Sequence, residues 1–305
     1  MNKSIKKLFL ALVRFYTYHT PIDFGRHRVY LGAMSLIRDF PPDLRAATKD
    51  GRRFSVNLAT GMQTTLYFHG DYEKKLTEVL RPLVRAGDVC LDVGANFGWY
   101  TSIFHKYAGP NGRTHAFEPM PPTFAELEKN YELMNRPANV RINNLALGEK
   151  PDTLYINLFE GLSTGHASMS NQGRDDAVSF ECRVVTLDSY LEENGVGDVN
   201  FVKVDIEGAE LTFLKGAESL FKQKVPPIWL MEMARQQTRN FGYTPDDLLR
   251  FFSERADYEF YRVDEERGRL IRFESFGPDD IGANVFCFPK GFYRDRFASV
   301  ENYLA

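Results

Sequence analysis

Residues 89–101 read Val-Cys-Leu-Asp-Val-Gly-Ala-Asn-Phe-Gly-Trp-Tyr-Thr, a short apolar run followed by a turn between Gly94 and Gly98. The run predicts a buried strand, and residues 99–107 predict a helix directly after the turn. Glycines let the backbone turn sharply and approach a ligand, and the first N–H groups of the helix then face that ligand. Strand, glycine turn and helix in this order are typical of a nucleotide-binding α/β unit.

The rest of the chain continues this alternation. Further strands are predicted at 114–117, 140–143, 200–204, 228–231, 259–263 and 285–288, with helices at about 99–107, 123–134 and 209–221. Two more runs, 153–159 and 178–184, predict a strand pair on either side of a polar loop. Strands that alternate with helices indicate a parallel sheet covered on both faces. We expect a doubly wound α/β fold with a mostly parallel, seven-stranded sheet.

An extension precedes the alternating part. Asp50-Gly51 lies between two short apolar runs and predicts a β-hairpin. Residues 64–68 predict another strand, and a helix capped by Asp71 is expected to run to about Val84. We expect an N-terminal extension over 1–60 (helix and hairpin), a catalytic domain over 61–290 and a C-terminal tail over 291–305.

The N-terminus has the charge pattern of a membrane-active segment but not its length. Lys3, Lys6 and Lys7 precede an apolar run that Arg14 ends after six residues, which is too short to cross a bilayer. The pattern favours an amphipathic helix packed on the domain, with peripheral membrane or lipid contact as the alternative.

The composition limits the kinds of binding partner that we expect. The chain has 305 residues, 43% of them hydrophobic, and a net charge of −3 without a broad basic surface, which argues against nucleic acid. Cys90, Cys182 and Cys287 lack metal-ligand spacing and are expected to be buried, reduced thiols of a cytoplasmic protein. A small molecule is the expected partner.

The turn favours one class of cofactor. Glu118 ends the next predicted strand, where a carboxylate can accept both hydroxyl protons of a ribose. The turn reads G-x-N-x-G instead of the dinucleotide pattern G-x-G-x-x-G, and Asp92 before it suits a cationic cofactor better than two phosphates. S-adenosylmethionine has a sulfonium and an amine but no phosphate. The alternative is that the glycines only make a turn and that Glu118 caps the helix after Pro119.

Three stretches carry a resemblance to a known family: Asp92–Thr101 (D-V-G-A-N-F-G-W-Y-T), Phe117–Pro119 (F-E-P) and Val202–Glu210 (V-K-V-D-I-E-G-A-E). Together they resemble the successive signatures of the FkbM-type methyltransferases, over roughly residues 70 to 290. The resemblance implies a class I methyltransferase, Rossmann-like fold and an S-adenosylmethionine cofactor. It also implies O-methylation of hydroxyl groups on sugars, glycolipids or other natural products.

The same resemblance implies a cofactor site. The turn 94–98 would line the methionine part, Glu118 would bind the ribose, and 144–146 would lie near the adenine. The implied cofactor-binding residues are Asp92, Gly94, Ala95, Asn96, Phe97, Gly98, Tyr100, Thr101, Glu118, Pro119, Asn144, Ala146 and Asp205.

Acceptor chemistry is expected after the strand 200–204. Asp205 or Glu207 is predicted to orient or deprotonate the acceptor hydroxyl, because an alcohol attacks poorly unless its proton leaves as the new bond forms. The alternative for Glu207 is that it caps the next helix. His166, in the polar loop, is a further predicted base. Asp205 and Glu232 could also hold a divalent metal, although no spacing requires one.

Two other functions stay open at this point. An NAD-linked oxidoreductase or epimerase would use the same topology, but the third glycine of its fingerprint is missing. A catalytically inactive Rossmann-like binding module would keep the fold without the chemistry.

Overall fold

A large mixed sheet organises the computed structural model, which describes residues 3–19, 26–36, 40, 44–159, 177–264 and 266–304. Its helices are α1 Lys3–His19, α2 Arg26–Leu36, α3 Gly61–His69, α4 Lys74–Leu80, α5 Trp99–Ala108, α6 Pro121–Leu133, α7 Leu187–Glu193, α8 Glu210–Lys215, α9 Glu218–Phe221, α10 Arg235–Asn240, α11 Pro245–Ser253 and α12 Arg294–Ala298. Its strands are β1 Leu44–Ala47, β2 Arg53–Val56, β3 Val89–Val93, β4 Arg113–Phe117, β5 Val140–Asn143, β6 Ala146–Leu147, β7 Asp152–Phe159, β8 Ala177–Val185, β9 Phe201–Val204, β10 Ile228–Ala234, β11 Tyr258–Asp264, β12 Arg269–Phe273 and β13 Gly282–Pro289.

In the described residues the sheet has eight strands, in the order β12-β11-β13-β10-β9-β3-β4-β5. The five strands from β10 to β5 are parallel, and β13, β11 and β12 are antiparallel additions. The predicted doubly wound α/β fold is confirmed. The predicted count of seven is one short, because β12 is an edge strand with one buried residue, Leu270, and with two arginines among its five residues.

The order in which the chain adds strands to the sheet reverses at β3. It runs from β3 to β4 and β5 on one side, and from β9 to β10 on the other. In open α/β sheets a ligand crevice forms outside the carboxyl ends of the strands at such a switch point. The loops after β3 and β9 are therefore the loops that can form a site.

The N-terminal hairpin is confirmed, with Ala46 opposite Phe54. The predicted strand at 64–68 is wrong, since these residues lie in α3. A short apolar run is compatible with either structure, and here Gly70 ends the helix in the left-handed conformation at φ 70°. The predicted helix after Asp71 begins only at Lys74 and has no side-chain cap.

The hairpin is part of the main core. Arg52 pairs with Asp50 at 3.1 Å, donates to Ser102 Oγ at 2.8 Å and stacks 4.2 Å from the ring centre of Trp99. Phe54 packs edge-on against Phe97, with the ring centres 5.8 Å apart. These contacts fix the hairpin against α5 and so support the turn that precedes this helix.

Smaller elements complete the molecule. β7 and β8 form the predicted strand pair, while the loop between them, including His166, lies outside the described residues. The predicted helix over 209–221 is interrupted between α8 and α9, where a β-carbon on Gly216 would lie 2.0 Å from the carbonyl oxygen of Gly148. The three cysteines are buried and unpaired, as predicted. In the described ranges, every helix is too short or too polar to cross a membrane.

Candidate functional site

The loops after β3 and β9 touch through their backbones. Gly94 has φ 79°, and a β-carbon on it would lie 1.8 Å from the carbonyl oxygen of Asp205. Gly98 has φ 94°, and a β-carbon on it would lie 2.8 Å from Leu127 Cδ1, the end of a flexible side chain. At position 94 only glycine fits both the conformation and the distance to the opposing backbone. The predicted cofactor turn is thus pressed against the predicted acceptor loop.

Glu118 connects the turn to the end of β4. Its Oε2 accepts the backbone N–H of Asn96 at 2.9 Å, and its Oε1 accepts that of Met120 at 3.0 Å. Burial raises the pKa of Glu118 to about 7, although these two hydrogen bonds act in the opposite direction. Met120 is the residue before α6, and among the described residues Glu118 accepts its N–H but no N–H of the first helical turn, so the alternative role of Glu118 as a helix cap is not borne out. Each oxygen still keeps one lone pair for a ligand.

The loop after β5 lies beside Glu118. Asn144 Nδ2 donates to the carbonyl oxygens of Glu118 and Pro119, both at 2.9 Å. Ala146 lies buried in β6, two residues further on. The structure therefore brings together the predicted positions for ribose and adenine.

Other predicted cofactor residues lie below the turn. Asp92 Oδ2 accepts the hydroxyl of Thr101 at 2.5 Å, whereas its Oδ1 is buried without a hydrogen-bond partner among the described residues. Burial raises the pKa of Asp92, and the Lys203 ammonium partly offsets this effect. Ala95 and Phe97 are buried as well. These side chains shape the base of the turn.

Three carboxylates meet at the carboxyl ends of β9 and β10. One oxygen from each of Asp205, Glu207 and Glu232 lies within 4.8 Å of the other two. The structure thus joins the predicted metal pair Asp205 and Glu232 and adds Glu207. Such a set of oxygens could hold a hard cation.

Lys203 sets the charge of this group. Its ammonium lies 2.9 Å from Asp205 Oδ2, and the residue is 4% exposed. Burial favours the neutral form of Asp205, but Lys203 and a hydrogen bond with Glu232 outweigh it, so the pKa of Asp205 is lowered. The charge of Asp205, together with burial, raises the pKa of Glu232 far above its usual range. These opposite shifts favour an ionised Asp205 that accepts a hydrogen bond from a protonated Glu232.

Glu207 does not cap the following helix, so the alternative reading of this residue is wrong. The N-cap position is Ala209, which has no side-chain cap, and Glu210 holds the preceding turn, because its Oε1 accepts the backbone N–H groups of Ile206 at 3.3 Å and Gly208 at 3.1 Å. Glu207, at φ 55°, is exposed, and its Oε2 accepts a hydrogen bond from Gln237 at 3.2 Å. Its carboxylate is left available at the site.

Sequence reasoning missed three residues near the acidic group: Tyr72, Glu73 and Lys203. Tyr100 donates its hydroxyl to Glu73, and its ring lies 4.9 Å from the ammonium of Lys203. Burial and then the charges of Glu73 and Asp205 raise the pKa of Tyr72. Lys203 had a visible signal, a charged residue inside the apolar strand β9, since a buried charge needs a partner. No signal in the sequence marked Tyr72 or Glu73.

A family model and curated relatives relate this chain to known methyltransferases. A family model described as the methyltransferase FkbM domain matches residues 92–260, more than half of the chain. The 31-O-demethyl-FK506 methyltransferase FkbM of Streptomyces tacrolimicus is 30% identical over 162 residues, which cover 44% of this chain and 61% of that protein. The hexuronic acid methyltransferase AglP of Haloferax volcanii is 29% identical over 144 residues, which cover 47% of this chain and 56% of that protein.

The chain thus spans between 56% and 61% of the length of these two curated relatives. Among solved structures, the methyltransferase FkbM of Methylobacillus flagellatus KT superposes with a TM-score of 0.43 and 18% identity, over 67% of this chain and 44% of that chain.

Proposed function

Because this chain belongs to the FkbM family of methyltransferases, we propose that it transfers the methyl group of S-adenosylmethionine to a hydroxyl oxygen of a sugar, glycolipid or other natural product. The observation that carries the proposal is the backbone contact between Gly94 and Asp205. It sets an ionised carboxylate beside a turn suited to an adenosyl cofactor.

The residues present fit that cofactor. Glu118 offers both carboxylate oxygens to a ribose, and the two backbone N–H groups that it accepts hold it in place. The turn 94–98 would line the methionine part, and Asn144 and Ala146 would border the adenine. Asp92, Tyr100, Thr101 and Pro119 would hold these groups from behind.

The cofactor, when bound, would supply an electrophilic methyl carbon on a sulfonium, and its carbon–sulfur bond would break as the acceptor oxygen bonds the methyl group, leaving a neutral thioether. Asp205 accepts a hydrogen bond from the acceptor hydroxyl and takes its proton as the oxygen–carbon bond forms. Lys203 keeps Asp205 ionised before the reaction, and Glu232 fixes its orientation through the shared hydrogen bond. Alignment of the acceptor contributes about 7 to 11 kcal/mol in well-oriented reactions.

Two further residues are proposed around this centre. Glu207 lies close enough to Asp205 to bind another acceptor hydroxyl, and it is the second proposed base. His166 lies outside the described residues, so its role as a base stays a prediction.

Calorimetry tests the cofactor. The wild-type chain is expected to bind S-adenosylmethionine and not NAD, and Glu118→Gln is expected to bind it more weakly. Glu128→Gln, an exposed position on the neighbouring helix α6, is the matched control and should bind as the wild type does. Binding of NAD alone would favour the oxidoreductase, and binding of neither ligand would favour the inactive module.

A labelling experiment tests the acceptor. The chain is incubated with methyl-labelled S-adenosylmethionine and with glycan or glycolipid extracts, and the product is then treated with mild alkali. Methyl ethers survive this treatment, whereas methyl esters of carboxyl groups are hydrolysed. Label that survives alkali excludes a carboxyl acceptor, as a methyl ether requires, and label released as methanol would contradict a hydroxyl acceptor.

A further inference from the structure

Helix α1 has apolar side chains on the face that points away from the protein. Ile5, Leu8, Leu12 and Phe15 are 55%, 63%, 62% and 67% exposed, and their spacing places them in one stripe along the helix. The opposite face packs on α3, where Leu10 is fully buried. A contiguous apolar stripe of this kind marks a site of interaction.

The charged residues within the two N-terminal helices all have one sign. The sequences of α1 and α2 contain no Asp or Glu, and their charged residues are Lys3, Lys6, Lys7, Arg14, Arg26 and Arg28. The whole chain, in contrast, has a net charge of −3. A basic helix with an apolar face is typical of proteins that lie on anionic membranes.

A cavity of about 400 Å³ beside α1 extends this basic character. It is lined by Arg14, Arg45, Ala46, Ala47, Arg53 and Leu133, a set without a carboxylate. Arg45 and Arg53 lie on the exposed face of the hairpin, diagonally across the two strands. Neither forms an ion pair within the described part of the chain. Three guanidinium groups that share a cavity repel one another unless an anion lies between them.

Arg14 belongs to both features. Its guanidinium donates to the carbonyl oxygens of Tyr67 at 2.8 Å and Ala47 at 3.2 Å, which are neutral acceptors and leave its charge in place. It directly precedes Phe15 of the apolar stripe. The cavity therefore borders the same helix, on the side that Arg14 shares with the buried Leu10, about 100° around the helix axis from Phe15.

We propose that the apolar stripe of α1 and the arginine-lined cavity form one docking surface for an anionic phospholipid bilayer. The stripe enters the boundary between headgroups and acyl chains, and the cavity takes a lipid phosphate, for which guanidinium groups are well matched. A second copy of the chain is a poorer occupant, since a two-fold interface through this surface would bring its basic residues face to face. This inference does not depend on the methyl-transfer reaction.

Co-sedimentation of the full chain with vesicles tests the proposal. The protein is expected to bind vesicles of phosphatidylcholine with phosphatidylglycerol, to bind phosphatidylcholine alone far less, and to be released by salt. The double variant L12E/F15E should lose binding by at least about tenfold. R45Q/R53Q should weaken it roughly thirtyfold, from the contribution of two basic side chains near an anionic surface.

The controls use exposed positions elsewhere. I281E, at a side chain that is 86% exposed, and R113Q, at an exposed residue of β4, should bind vesicles as the wild type does. All variants should keep the wild-type thermal unfolding midpoint, because none of the changed side chains is buried. Thus a loss of binding reports the surface and not the fold.

Three outcomes would overturn the proposal. One is equal binding by L12E/F15E and the wild type, and another is equal binding to neutral and anionic vesicles. The third is that the wild type binds no vesicles. If the wild type is then a dimer that L12E/F15E converts to a monomer, the stripe contacts a second copy of the chain. Inorganic phosphate that binds the wild type but not R45Q/R53Q would then assign the cavity to a free anion.

Discussion

The carbonyl oxygen of Asp205 lies 1.8 Å from the position that a β-carbon on Gly94 would occupy. Any other residue at 94 would therefore push the loop after β9 away from the turn after β3. Since Lys203 and Glu232 both act on the side chain of Asp205, such a shift would disturb the whole acidic group. Gly94 thus matters for the acceptor side of the site as much as for the cofactor side.

Gly94→Ala is expected to destabilise the fold by at least about 3 kcal/mol and to abolish activity. Gly87→Ala is the matched control, because Gly87 has a similar φ of 90° but open space where its β-carbon would be. It should cost only the conformational penalty, about 1–2 kcal/mol. Chemical denaturation of both variants measures the difference. Equal losses would show that the contact with Asp205 has no energetic weight.

Much of the fold was predictable because parallel strands are buried on both faces. β10 begins with the uninterrupted apolar run 228–231, and β3, β4, β5 and β9 are largely buried although each contains polar residues; all five were found within a few residues. The errors came where this rule does not hold. Residues 64–68 are equally apolar, but they form a helix that packs on α1 and the hairpin, a tertiary effect that a local pattern does not contain.

The site was predictable where the backbone requires a particular residue. Gly94 and Gly98 stand at positive φ, and Glu118 follows a buried strand, so spacing alone brought them together. The roles of Glu207 and Glu210 were not separable, because two glutamates three residues apart look alike until the turn between them is known. Tyr72 and Glu73 reach the site from the segment before β3, and no pattern in the sequence marks that approach.

Asp205 and Glu232 should respond differently to conversion into their amides. Asp205→Asn removes the ionised carboxylate and is expected to lower kcat by about 100-fold or more. Glu232→Gln should keep most of the activity, because Glu232 holds a proton at neutral pH and glutamine can still donate a hydrogen bond to Asp205. Steady-state kinetics measures both, with circular dichroism as the check on folding. A larger loss in Glu232→Gln than in Asp205→Asn would reverse the assignment of the proton.

A chelator is expected to leave the rate of methyl transfer unchanged. The ammonium of Lys203 already lies 2.9 Å from Asp205 Oδ2, so a divalent cation there would face another positive charge and would also have to displace the proton of Glu232. The measurement compares turnover before and after dialysis against EDTA. Loss of activity that Mg²⁺ restores would instead assign Asp205, Glu207 and Glu232 to a catalytic cation.

The affinity for S-adenosylmethionine should fall as the pH drops below about 7, the pKa to which burial raises Glu118. Both oxygens must accept ribose hydroxyl protons, so the ionised form binds and the protonated form binds poorly. The stability of the free protein should change with pH in the opposite direction to the affinity. Because the pKa of Glu118 is raised on folding, its contribution to the free energy of unfolding is fully present below the usual pKa of 4.5 and is lost as the pH rises through about 7. Calorimetry at about pH 8 and about pH 6 should therefore show roughly tenfold weaker binding at the lower pH. Glu118→Gln should bind weakly at both, and a variant that kept the pH dependence would place the titrating group elsewhere.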